Sequence, residues 1–189
     1  QYSAIDGVPN DWHLMHLGQY AVGGAGLVFT EATAVEPVGR ITPGCPGLHN
    51  DEQQAEWERV ISFFRKYGAA KIGIQIAHAG RKGSANVPWH GGTPLAESQS
   101  AWRTVSASAM PYADGWHTPH ELSGNDLAQL KTAFVDSTHR AIAAGFDVIE
   151  LHAAHGYLMH QFLSPLSNQR SDAFGGDLAG RMAFPLEVF

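Results

Sequence analysis

Apolar residues recur at spacings of three and four over residues 11–22, where Leu14, Leu17, Tyr20 and Ala21 follow Asn10, a good helix-capping residue. A helix is predicted there, ended by the glycines at 23 and 24. A β-prone run, Leu27, Val28, Phe29 and Thr30, follows and reaches about Val35. Residues 51–67 carry Trp57, Val60, Ile61 and Phe64 on one helical face, with Asn50 and Gln53 spaced as in a capping box and Gly68 as the stop. Residues 71–77 alternate: Ile72, Ile74 and Ile76 share one face, Gly73, Gln75 and Ala77 the other, as in a strand. Residues 79–122 show no period. The capping-box spacing of Ser123 and Asp126 then opens a helix whose apolar side is Leu127, Leu130, Phe134, Ala141 and Ile142, closed by Gly145. Residues 146–152 read as a further strand, and a loop and helix complete the chain.

Taken with a strand remnant at residues 1–4, the order is strand, helix, strand, helix, strand, long loop, helix, strand, helix. Strict alternation with helix-length spacers implies parallel strands joined by right-handed crossovers. Four strands and four helices are half of a (β/α)8 barrel, although an open doubly wound sheet has the same local grammar. Both chain ends read as cut, since Gln1 stands directly before structured sequence and residues 187–189 lie in an uncapped apolar stretch. The expectation is one partial domain over residues 1–189, with the loop 79–122 lying over the active-site face. Its tryptophans, Trp89, Trp102 and Trp116, argue for an ordered loop.

Composition narrows the function. Twelve Lys and Arg against eighteen Asp and Glu give a net charge of −6, which disfavours nucleic acid and anionic membrane as partners. The single cysteine, Cys45, excludes a disulfide framework and a thiolate cluster, and it has no paired base to make it a nucleophile. With no leader or spanning segment in view, a cytoplasmic setting is expected. Eleven histidines in 189 residues direct attention to sites.

In either architecture the site lies at the carboxyl ends of the parallel strands. Glu31 and Ala32 end one strand, Gln75, His78 and Arg81 follow along the next, and Glu150, His152, His155 and Tyr157 follow the last. Two imidazoles three residues apart can converge on one small acceptor such as a carbonyl or nitro oxygen, each neutral ring offering one N–H. Tyr157 offers a phenolic proton beside them. Two other readings stay open: the histidines as hydrogen-bonded rim residues, or His78, Glu150, His152 and His155 as zinc ligands of a barrel hydrolase. Gln75, an amide among isoleucines, needs partners, either a flat heterocycle or neighbouring backbone. His78 alone reads as a packing histidine. The Gly-Gly pairs match no dinucleotide or P-loop spacing.

These motifs are familiar together. Residues 74–81 (IQIAHAGR), 144–158 (AGFDVIELHAAHGYL), 162–165 (FLSP), 168–172 (NQRSD) and 174–176 (FGG) closely resemble the old yellow enzyme family, FMN-dependent ene reductases on a (β/α)8 TIM barrel. Residues 31–35 (EATAV), 39–42 (GRIT) and 1–4 (QYSA) resemble the branch of xenobiotic reductases and thermophilic-like enzymes. The resemblance runs the length of the chain and implies its N-terminal half barrel, about the first four β/α units. It implies that Ala32 and Gln75 contact the isoalloxazine of FMN, and that His152 and His155 hold the oxygen of an enone or nitro substrate. Tyr157 is then the proton donor and Tyr2 a second hydroxyl facing the substrate. NADPH or NADH is the implied reductant in ping-pong turnover, and a homo-oligomeric parent is expected. No metal is implied. In that branch a cysteine precedes the position of Gln1, and barrel phosphate sites follow the seventh and eighth strands. The fragment alone is therefore expected to be inactive or weak. The alternative of another class is a non-catalytic half barrel that folds or dimerises and at most binds flavin.

Overall fold

The computed structural model describes residues 1–189. Its centre is a three-stranded parallel sheet in the order β1–β2–β5, from β1 (Leu27–Ala34), β2 (Lys71–Ala77) and β5 (Val148–Leu151). Helices α1 (Asp11–Val22), α2 (Asp51–Tyr67) and α3 (Gly124–Ala144) alternate with these strands, and α4 (Leu158–Leu163) and α5 (Leu178–Val188) follow. The long connection between β2 and α3 builds its own two-stranded parallel pair, β3 (Val105–Ser106) and β4 (His120–Glu121).

The side on which the helices lie decides between the two architectures. Ile72, Ile74 and Ile76 of β2 are buried in one cluster with Trp57, Val60, Ile61 and Phe64 of α2 and Leu127, Leu130 and Phe134 of α3. The opposite face bears Phe29, Gln75, Val148 and Glu150, of which Phe29 and Val148 are each 38% exposed. A doubly wound sheet is covered by helices on both faces, whereas a barrel segment is covered only outside. The fold is an arc of a barrel, with β1 and β5 as its outer strands.

The arc holds three strands, not four. Residues 1–8 do not join the sheet: Tyr2 and Asp6 have φ of 55° and 50°, left-handed values that no extended ladder accommodates. This segment turns back through an Ile5–Val8 bridge, and the Ala4 N–H donates to the Gly44 carbonyl at 2.9 Å. Ile142, assigned to the apolar face of α3, is 62% exposed, one helical step beyond the buried Ala141. The last strand is also shorter than its pattern, because Asp147 and His152 pair beyond its ends through Ile72 and Ile76.

Helix starts follow the sequence closely. Ser123 and Asp126 close a reciprocal box, with Asp126 N–H to Ser123 Oγ at 3.2 Å and Ser123 N–H to Asp126 Oδ2 at 2.8 Å. At α2 only half of the box forms: Asn50 Oδ1 accepts the Gln53 N–H, but the Gln53 amide turns to the His49 N–H instead. Gly145 ends α3 at φ 95°, a conformation that a side chain would strain.

Between Phe29 and Ala32 the β1–β2 register slips, three steps on β1 matching two on β2. Thr30 Oγ1 fills the gap by accepting the Gln75 N–H at 3.2 Å. Such a bulge re-aims the residues beyond it. Here it sets Ala32 directly opposite Gln75.

Candidate active site

At the carboxyl ends of the strands lies an open cleft of about 200 Å³, whose lining includes Tyr2, Ala32, Gln75, His152, His155 and Tyr157. All six residues expected from the sequence to bind or react are thus brought together. Ala32 also belongs to a tight apolar floor with Ala34, Ile41, Ala77 and Ala79, beneath Tyr157.

Each side chain is placed by a separate element. Gln75 points from the exposed face of β2, and its Nε2 donates to Glu150 Oε1 at 3.1 Å across the β2–β5 register. His152 continues the ladder past β5, its N–H donating to the Ile76 carbonyl at 3.0 Å. Its Nδ1 accepts the Ala154 N–H at 3.2 Å, so the neutral ring carries its proton on Nε2. That Nε2 faces His155 Nδ1 at 3.3 Å, a long contact that still leaves the proton able to serve a second acceptor. The two rings stand nearly perpendicular with centroids 5.1 Å apart.

His152 is buried and His155 is exposed. Burial pushes the His152 pKa down, and the charges of His155 and Lys82 act in the same sense against the opposing pull of Glu150. His152 is therefore held neutral at neutral pH, the state in which its ring offers one N–H to an incoming oxygen. Tyr157 caps α4, with its ring 5.0 Å from that of His152. Burial, reinforced by the neighbouring acids Tyr2, Cys45 and Tyr112, raises its pKa, so the phenol is fully protonated at neutral pH. Tyr2 is raised in the same way, first by burial. The Tyr2 ring packs edge-on against Trp89 at 5.5 Å, which brings the long loop to the cleft.

Some strand-end residues do not take part. His78 is buried, with Nε2 on Glu36 Oε1 at 2.8 Å and Nδ1 accepting the Gly80 N–H at 3.0 Å. Arg81 donates to the Met110 and Pro111 carbonyls and anchors the loop. The four-ligand zinc arrangement is thus not assembled, and no group of three or more His, Cys, Asp or Glu side chains stands where it could hold a metal. Cys45 lines the cleft but is buried, its Sγ 3.4 Å from the Thr42 N–H. Gln1, Glu31, Ile41 and Pro46 complete the wall, and of these only Pro46, an apolar loop residue, carried no signal in the sequence.

Residues 2–189 match the sequence model of the NADH:flavin oxidoreductase / NADH oxidase family. The chain belongs to this family. It is 46% identical over 192 residues to an NADH:flavin oxidoreductase of Gibberella zeae, covering 100% of the chain and 46% of that protein. It is 44% identical to an NADPH dehydrogenase of Listeria innocua, covering 93% of the chain and 47% of the relative. In the same family, the structure of morphinone reductase in complex with tetrahydroNAD superposes with a TM-score of 0.84 at 30% identity, covering 100% of this chain and 52% of that one. The chain spans about half the length of the curated relatives it matches. No helix is long and apolar enough to cross a membrane.

Proposed function

We propose that this chain is the substrate-activating half of an FMN-dependent, NAD(P)H-consuming ene reductase acting on α,β-unsaturated carbonyl or nitro compounds. The observation that carries the reading is the convergence of His152, His155 and the protonated Tyr157 on one cleft that Ala32 and Gln75 also line. The small Ala32 side chain leaves room for a flat heterocycle in the cleft, and the Gln75 amide supplies both donor and acceptor for its edge. No Lys or Arg side chain lines the cleft, so phosphate binding is assigned to the length of the relatives that this chain does not span.

FMN held there by Ala32 and Gln75 would supply the hydride chemistry, from NADH or NADPH to the β-carbon of the substrate. His152 Nε2–H and the free N–H of His155 bind the carbonyl or nitro oxygen and stabilise the negative charge that grows on it. Tyr157 delivers a proton to the α-carbon, completing the addition of hydrogen across the double bond. Tyr2 lies across the cleft as a second hydroxyl for orienting the substrate, and the protein works in a cytoplasmic, homo-oligomeric setting.

The test is an FMN titration of the purified chain, followed by flavin fluorescence and absorbance and then by desalting. Saturable quenching removed by Gln75→Ala supports the reading. A chain that stays colourless, quenches nothing and runs as a defined dimer overturns it in favour of a non-catalytic half barrel.

A further inference from the structure

His155 is not a glycine, yet its φ is 56°, and Gly156 follows at 71°. A left-handed residue with a β-carbon is strained and persists only where its surroundings over-determine it. Side chains from two elements hold this turn. Lys82 Nζ donates to the His155 carbonyl at 2.9 Å, from the 3-10 turn (Gly80–Lys82) that directly follows β2. From α4, Gln161 Nε2 donates to the next carbonyl, that of Gly156, at 2.8 Å, and His160 Nδ1 accepts the Gly156 N–H at 2.8 Å.

Lys82 differs from the other two in carrying charge. Its ammonium lies 4.9 Å from the ring centroid of Tyr157 and 4.9 Å from that of Tyr112, a cation held between two aromatic faces. It therefore reaches three things at once: the backbone that aims His155, the ring of Tyr157, and the long loop through Tyr112.

We propose that Lys82 is the positioning residue of this site: its hydrogen bond fixes the left-handed His155–Gly156 turn, and its ammonium ties that turn to the rings of Tyr157 and Tyr112. The proposal rests on the reading of His152 and His155 as the oxygen-binding pair. The charged and titratable groups around His152 are His155 on its own turn, Glu150 on β5, Lys82 after β2, Tyr157 at the head of α4, and Tyr2, Cys45, Glu31 and the amino terminus of Gln1 across the cleft. The amino terminus is paired with Glu31, and Lys82 is the cation bonded to the His155 turn.

The experiment is an NMR pH titration of the whole chain with ¹⁵N-labelled histidine, following the His152 ring and the Gly156 amide. Neither flavin nor substrate is present, so a failure of FMN binding and a failure of this proposal are read separately. Lys82→Met should displace the Gly156 amide resonance and, by removing a nearby cation, move the His152 pKa upward. Lys82→Gln keeps a donor without charge: it should show the pKa rise with the Gly156 resonance retained. Lys82→Arg should restore both. An unmoved Gly156 amide in Lys82→Met overturns the proposal, and so does equal disruption by all three substitutions, which would mean packing alone.

Discussion

Asp147 and Ile72 hold each other through two hydrogen bonds: the Asp147 N–H donates to the Ile72 carbonyl at 2.8 Å, and Asp147 Oδ2 accepts the Ile72 N–H at 2.9 Å. The carboxylate thus stands in for a backbone carbonyl at the amino end of the β2–β5 ladder, where β5 begins. Arg65 and Lys71 neutralise it, at 2.8 and 3.2 Å. Burial raises the Asp147 pKa, but the Ile72 N–H and the two cations outweigh it and bring the value from 3.8 down to about 2. Because the folded value lies below the unfolded one, this contribution is complete above about pH 4 and disappears as pH falls toward 2. Asp147→Ala leaves the Ile72 N–H without its acceptor and should cost about 1–3 kcal/mol in urea unfolding at pH 7. Asp147→Asn, which keeps an acceptor oxygen, should cost less, and its difference from the parent chain should shrink as pH falls through about 2.

His13 is a second acid-sensitive point. It is 2% exposed, its Nδ1 accepts the Asn10 N–H at 3.1 Å to close the cap of α1, and its Nε2 has no partner. Burial, helped by the positive amino terminus, lowers its pKa from 6.5 to about 4. The folded state therefore resists a proton that the unfolded state accepts, so stability declines as pH drops from about 6.5 toward 4. Protonation at Nδ1 also breaks the cap. His13→Gln should flatten that part of the stability–pH curve, measured by thermal unfolding between pH 4 and 7, while leaving the Asp147 part in place.

How much of this was legible in the sequence depended on whether a feature is local. The face of α2, that of α3 as far as Ala141, the alternation in β2 and the box at Ser123 are set by neighbours two to four residues away, and the structure follows them. The rim formed by Ala32, Gln75, His152, His155 and Tyr157 was legible because strand ends of a parallel sheet share one side. What the pattern missed depends on distant chain. Residues 1–4 look like a strand until the left-handed Tyr2 and the Ala4–Gly44 bond are seen. The bulge that sets Ala32 opposite Gln75 exists only in the pairing of two strands. Lys82 is one cation among twelve until its ammonium is found on the His155 carbonyl, 73 residues away.

The imidazole pair makes its own prediction. A phenolic ligand places one oxygen where His152 Nε2 and His155 converge, and charge-assisted hydrogen bonds of this kind contribute about 1.5–3 kcal/mol each. Replacing both residues by Ala should weaken phenol binding by at least tenfold, read by calorimetry or by a flavin charge-transfer band. FMN affinity itself should change little, since Ala32 and Gln75 remain. Equal loss of flavin and phenol binding would instead mean that the histidines hold up the cleft.

Tyr157 and Tyr2 share the cleft and separate by role. Both phenols are raised by burial and stay protonated at neutral pH, but only Tyr157 adjoins His152, at 5.0 Å between rings. In a chain extended to the full length of its relatives, Tyr157→Phe removes the proton for the α-carbon while keeping the ring that Lys82 covers. General-acid loss is worth about 10²–10⁴-fold, so enone turnover should fall by that order while consumption of NADPH in the first half-reaction is unaffected. Tyr2→Phe loses an orienting hydroxyl and should act mainly on KM. A nitro substrate needs a weaker acid once its oxygen carries charge, because the intermediate nitronate is stable and takes up its proton from water. The Tyr157→Phe defect should therefore be smaller for a nitroalkene than for an enone, and equal defects on both would remove Tyr157 from the role of proton donor.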